Sequence, residues 1–125
     1  MKKAVLSVAS NVPEGLMKVI DTLDWLEKSY PPFRCSSTYG TKALHGNSTY
    51  WNAVATVWCN LSCKRLNQAL KLRELEEGRT EEMRQQEQVP IDIDIVIYDG
   101  KVLRPKDFEQ DFFQIGWKEL KKSDK

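Results

Sequence analysis

Apolar and polar residues follow two periods along this chain, and the switches between them mark out the elements. Lys3 to Ser10 reads as a strand, because AVLSVA is apolar and partly β-branched and then stops at Ser10 and Asn11. Leu16, Val19, Ile20, Leu23 and Leu26 recur at helical spacing through Lys28, with Asn11 as the cap and Pro13 in the first turn. Tyr30, Pro31 and Pro32 close that helix, since proline cannot continue its hydrogen-bond ladder. Phe33 to Gly40 (FRCSSTYG) is expected to form a second strand and Tyr50 to Cys59 (YWNAVATVWC) a third, with a polar loop from Thr41 to Thr49 between them. Ser62 caps a second helix in which Cys63, Leu66 and Leu70 lie on one line, reaching Glu74 with a stop at Gly78. Thr80 to Gln88 has no apolar period and is expected to be part of a mobile polar loop at about 80–90.

The sharpest alternation runs from Ile91 to Tyr98. Ile91, Ile93, Ile95 and Ile97 are expected on one face, and Asp92, Asp94, Val96 and Tyr98 on the other, before a turn at Asp99 and Gly100. A last helix from about Asp107 to Lys121 places Phe113, Trp117 and Leu120 at core spacing, and the lysine-rich tail at about 121–125 is expected to fray. Strand, helix, strand, strand, helix, strand is the split βαβ order. The expected class is therefore α+β: a ferredoxin-like βαββαβ antiparallel sheet with helices packed on it, plus a C-terminal helix, in a single domain spanning 1–125.

Composition narrows the partners. The 125 residues are 41% hydrophobic and 30% charged, enough to bury a core. Nineteen basic residues against eighteen acidic give a formal charge of +1, so no global field favours nucleic acid or an anionic membrane. Apolar runs such as AVATVWC from Ala53 fall far short of a bilayer span, and Ala4 to Ala9 is too brief for a secretory core segment, so the cytoplasm is the expected compartment. Cys35, Cys59 and Cys63 are odd in number and lack a second ligand pair for structural zinc, and reduced, mostly buried thiols are expected.

Asp92 and Asp94 are the first feature that a plain globular reading leaves over. Their spacing puts two carboxylates side by side on one strand face, where like charges repel and where Asp is a poor strand former. A divalent magnesium ion would satisfy them, with phosphates and waters completing its shell; a neighbouring Lys or Arg, or solvent, is the plainer alternative. Neither a P-loop nor a dinucleotide-binding glycine pattern is present, so phosphate binding would rest on side chains. His45 lies alone in the polar loop and reads as a surface histidine, and Trp51 and Trp58 read as core and rim aromatics of the third strand.

Five segments in order carry a more specific signal: SVASN at Ser7, FRCSSTYGT at Phe33, YWNAV at Tyr50, ELEEGR at Glu74 and IDIDIVIYDG at Ile91. Together they resemble hydroxymethyl-dihydropterin pyrophosphokinase, the folate-pathway enzyme that transfers a pyrophosphoryl group from ATP to a pterin alcohol. The resemblance implies that Asp92 and Asp94 hold magnesium beside the ATP phosphates. It implies a pterin pocket of Thr41, Lys42, Leu44, Tyr50 and Asn52, in which Tyr50 stacks on the flat ring and Asn52 reads its amide-like edge. It places Lys71, Glu74, Arg79 and Ile95 against the nucleotide, and Arg79 and Arg84 as the cations that meet charge on the transferring group.

The chain also departs from the pattern of that family. The loop before the aspartates, TEEMRQQEQVP, carries Arg84 as its sole basic residue, and Val89 stands where an arginine is expected. Glu74 to Gln88 holds six acidic and two basic residues, the reverse of what a polyanionic substrate favours. Beyond Gly100 the usual Pro-His segment and second stacking aromatic are not recognisable; Arg104 or Lys106 could substitute for phosphate contact, and Phe112 or Phe113 for stacking. Reduced turnover is implied, and a pterin- or nucleotide-binding module on the same scaffold is the alternative.

Overall fold

The chain begins with a central strand that its neighbours flank on both sides. In the computed structural model, which describes residues 1–43, 48–78 and 80–123, β1 (Lys2–Ser10) pairs antiparallel with β4 (Thr49–Cys59) on one side and β5 (Asp92–Tyr98) on the other. Two short strands, β2 (Phe33–Cys35) and β3 (Tyr39–Lys42), both pair with β4. A two-residue strand, β6 (Lys101–Val102), folds back on β5. The order β2-β4-β1-β5-β6, with every pairing antiparallel, is the ferredoxin-like arrangement expected from the sequence.

Helices cover both faces. α1 (Gly15–Ser29) and α2 (Cys63–Glu76) bury Val19, Leu23, Leu26, Leu66 and Leu70 against Ala4, Leu6, Val8, Ala53, Ala55 and Val57 of the sheet. α4 (Pro105–Phe108) and α5 (Asp111–Ser123) close a smaller core on the opposite face, where Phe113 and Leu120 meet Val5, Val54, Val96 and Ile97. α5 packs close because it has no side chain at Gly116: a Cβ there would lie 2.7 Å from Val54 Cγ2 and 2.8 Å from the Tyr39 hydroxyl. Among the described residues no helix is long and apolar enough to cross a membrane.

Four local expectations are corrected. The stretch expected as one strand from Phe33 to Gly40 is broken into β2 and β3. Cys35 opposes Ala55 while Tyr39 opposes Asn52, so four steps face three on β4. The extra residue is accommodated at Ser36, whose Oγ accepts from Val54 N at 2.9 Å in place of a backbone carbonyl. Asn11 does not cap α1; that helix starts at Gly15 after Glu14, with no side-chain cap. Instead Asn11 Nδ2 donates to Glu87 O at 2.8 Å and Asn11 Oδ1 accepts from Val89 N at 2.6 Å. Residues 80–88 are not all loop, since Thr80 Oγ1 accepts from Met83 N and caps the short helix α3 (Glu81–Gln85). The expected last helix is divided between α4 and α5.

The isoleucine alternation also breaks. Leu6 pairs with Ile95 and Val5 with Ile97, so Val96 is an extra residue in β5, a β-bulge that inverts the facing of everything after it. Ile97 therefore joins the α5 core and Tyr98 packs toward α1 and α2, its hydroxyl donating to Leu61 O at 2.8 Å. Of the free thiols, Cys59 is buried and Cys63 half-buried, whereas Cys35 is exposed, contrary to the expectation of mostly buried cysteines.

Candidate active site

The face of the sheet that carries α5 is left uncovered at one end, and a cavity of about 420 Å³ opens there. Its floor is set by register. Asn52 of β4 opposes Ala9 of β1, and Ala9 opposes Asp92 of β5, so one row crosses three strands. The adjacent row runs Val54, Ser7, Asp94. Small residues at the middle of both rows keep the floor low, and strand spacing puts Asn52 about 10 Å from Asp92.

At one end of the floor lies a polar, aromatic pocket. Asn52 is buried, and its Nδ2 donates to Thr41 Oγ1 at 2.8 Å, with Tyr50 O at 3.1 Å and Tyr39 O at 3.3 Å also in reach. These contacts commit the amide hydrogens to β3 and β4 and fix the plane of the group. Thr41, Lys42, Tyr50 and Phe112 stand in the walls. Tyr39 secures Phe112 by donating its hydroxyl to Phe112 O at 2.6 Å while accepting from Gly116 N at 3.1 Å.

Asp92 and Asp94 stand at the other end. Burial first, and then the neighbouring charge of Asp94, push the Asp92 carboxyl up to about 7 from its ordinary 3.8. Burial would raise Asp94 also, but the Lys71 ammonium, 2.9 Å from its Oδ1, outweighs that and lowers it. Lys71 reaches this point from α2, on the other side of the sheet, around the open edge of β5. It also donates to Glu74 Oε2 at 2.7 Å and Ile93 O at 2.9 Å. Burial would lower the Lys71 pKa, yet these carboxylate bonds leave it raised. Glu74 in turn accepts from Ile93 N at 2.8 Å, satisfying a backbone donor on the strand edge.

Several residues named from the sequence therefore meet at one cavity: Thr41, Lys42, Tyr50, Asn52, Asp92 and Asp94 line it. Lys71 and Glu74 join it from behind, through Asp94 and the strand edge. The side chain of Ile95 faces away, into the core under α1 and α2. Arg84 is exposed on α3 and does not line the cavity. Leu44, His45 and Arg79 lie outside the described residues. Between the alternatives beyond Gly100 the structure is selective: Arg104 and Phe112 are in the cavity wall, whereas Lys106 is exposed outside it and Phe113 is fully buried. Sequence reasoning missed Ser7 and Ala9 as the floor and Glu87 as a wall residue. Small residues opposite the aspartates were the available signal for the first two; Glu87 depends on a backbone of positive φ, which its sequence does not announce.

Two carboxylates on adjacent same-face positions suit a hard divalent cation, and the ammonium already bonded to one of them shows that the site draws positive charge. Among the described residues no group of three or more ligating side chains is present, so most of such an ion's shell would come from phosphate and water.

The cleft thus joins a carboxylate pair to an amide-bearing aromatic pocket. The family model for 7,8-dihydro-6-hydroxymethylpterin-pyrophosphokinase (HPPK) matches residues 5–122, and the chain belongs to that family. The family's activity is pyrophosphoryl transfer from ATP to hydroxymethyl-dihydropterin in folate synthesis. No curated protein matches the chain.

Proposed function

We propose that the cavity is where this chain carries out the family reaction, with the pterin at the Asn52 end and the ATP phosphates at the Asp92 end. The hydroxymethyl oxygen attacks the β-phosphorus, the bond from that phosphorus to the α,β-bridging oxygen breaks, and AMP leaves with that oxygen while the hydroxyl proton passes to solvent. The observation that carries this reading is the row Asn52, Ala9, Asp92, which would hold acceptor and donor ends on one surface with a single strand between them.

In this reading Tyr50 and Phe112 flank the flat ring, and Thr41 and Lys42 close its edge. Because the Asn52 amide hydrogens are engaged with Thr41 and the backbone, its carbonyl oxygen serves as the acceptor for ring N–H groups. Asp92 and Asp94 would hold magnesium, which when bound neutralises charge on the phosphate oxygens. Arg104, whose Nη1 is 4.0 Å from Asp94 Oδ1, would meet the same phosphates beside that carboxylate. Ile95 would meet the nucleotide through its backbone at the edge of β5, since its side chain is committed to the core. Arg79 completes the reading as a cation for the transferring group, and the cytoplasm is the compartment this chemistry suits.

The test is AMP formation from ATP with 6-hydroxymethyl-dihydropterin and magnesium, measured against an acceptor-free control; folded protein that forms no acceptor-dependent AMP removes the catalytic reading. A second reading, a binding module with little turnover, draws on two observations. Arg84 stands outside the cavity, and the wall presents Glu87 where phosphate would pass. Saturable binding of both ligands in a calorimeter, without AMP, would select it.

A further inference from the structure

Lys71 is bonded more completely than a phosphate-seeking lysine needs to be. Its three N–H donors have three acceptors, Glu74 Oε2 at 2.7 Å, Ile93 O at 2.9 Å and Asp94 Oδ1 at 2.9 Å, and Asp92 Oδ1 lies 3.8 Å away. The Glu74 side chain is 4% exposed and is itself held by Ile93 N. The ammonium thus sits in a cradle built from α2 and the edge of β5.

We propose that Lys71 is a built-in counter-ion that makes divalent-metal binding at Asp92 and Asp94 conditional on the nucleotide. This rests on the reading of those aspartates as metal ligands. A divalent ion approaching Asp94 in the free protein meets a positive charge already bonded to one of the two carboxylate oxygens, so binding carries both repulsion and competition for lone pairs. A triphosphate changes the balance, because its negative charges offset the ammonium and its oxygens supply ligands beyond the two aspartates. Metal and nucleotide then load together, and by linkage each raises the affinity of the other by the same factor. Without Lys71 the carboxylate pair would take up metal in the idle protein and lose most of that coupling.

The experiment is a Mn²⁺ titration followed by electron paramagnetic resonance of the free ion, on whole protein with and without α,β-methylene ATP. Lys71→Gln keeps amide hydrogens for Glu74 and Ile93 O but removes the charge. It is expected to bind Mn²⁺ about tenfold tighter than the wild type without nucleotide, and the enhancement conferred by the analogue is expected to fall by the same factor. Lys71→Met serves the same purpose should the glutamine variant not fold, and adding Asp94→Asn to either is expected to abolish the gain. Equal Mn²⁺ affinity of wild type and Lys71→Gln without nucleotide overturns the proposal and leaves the metal reading standing. Analogue-dependent Mn²⁺ binding that Asp94→Asn alone does not weaken overturns the metal reading itself, and the role of Lys71 with it.

Discussion

Glu74 Oε2 accepts the backbone hydrogen of Ile93 at 2.8 Å, so a helix carboxylate completes the hydrogen bonding of a strand edge. The same oxygen holds Lys71 at 2.7 Å, which ties the position of the ammonium to the position of the strand. Replacing Glu74 by Ala should cost about 2 kcal/mol, because the buried Ile93 N–H loses its acceptor and Lys71 loses one of its three. Glu74→Gln keeps an acceptor and should cost less than half of that. Urea denaturation of the two variants checks the order, and equal losses would mean that the backbone bond contributes little.

The carboxylate pair gives metal-free protein a definite pH response. Asp92 holds its proton more tightly when folded than when unfolded, so its ionisation works against the fold as pH rises from about 4 through about 7. Asp94, lowered by Lys71, acts in the opposite sense: its contribution is present above the ordinary carboxylate range and is lost on acidification below it. With EDTA present, the stability of Asp92→Asn relative to wild type should therefore improve between pH 5 and pH 8. An improvement of about 1 kcal/mol is expected for a side chain that is one-third exposed. A stability difference independent of pH would contradict the raised affinity for the proton.

Gly116 lets α5 approach the sheet, and a methyl group there meets three neighbours at once: Val54 Cγ2 at 2.7 Å, the Tyr39 hydroxyl at 2.8 Å and Ser36 Oγ at 2.9 Å. Gly116→Ala should destabilise by about 1 to 3 kcal/mol despite alanine's better helix propensity. Because the displaced hydroxyl anchors Phe112, pterin affinity should fall as well. Thermal melting and fluorescence titration with a pterin read the two effects separately.

Asn11 ties the chain end of β1 to the segment before β5 through its amide and its backbone, the latter donating to Val89 O at 3.0 Å. Asn11→Ala should leave the sheet intact, cost about 1 kcal/mol and loosen residues 87–89 at the cavity wall. Hydrogen exchange at the Val89 amide, followed by NMR, should quicken by about tenfold, while amides of Leu6 and Val54 stay protected.

Much of the site was readable because its chemistry defies the local pattern. Asp92 and Asp94 interrupt an apolar strand, and the structure places both at a cavity beside Asn52. The strand order was readable for the same reason that periodicity works at all: β4 and β1 are long enough for one face to declare itself. What escaped depends on partners far away in sequence. Asn11 had the credentials of a cap, yet its amide is spent on residues 76 and 78 positions later. Lys71 was placed against the nucleotide by resemblance alone, and its bonds to Ile93 O and Asp94 arise only because β5 folds beside α2. The break at Ser36 and the bulge at Val96 each involve one residue, and a single extra residue leaves composition and period almost unchanged.

The bulge at Val96 divides the labour of one strand. N-terminal to it, β5 presents carboxylates to the cavity; C-terminal to it, the same face turns apolar through Ile97 and is sealed by α5. With unbroken alternation Tyr98 would follow Asp94 into the α5 core, where its hydroxyl would lose Leu61, and Ile97 would crowd the helices on the other side. One inserted residue thus acts as a partition between a wet, charged compartment and a dry one, set only two positions from Asp94.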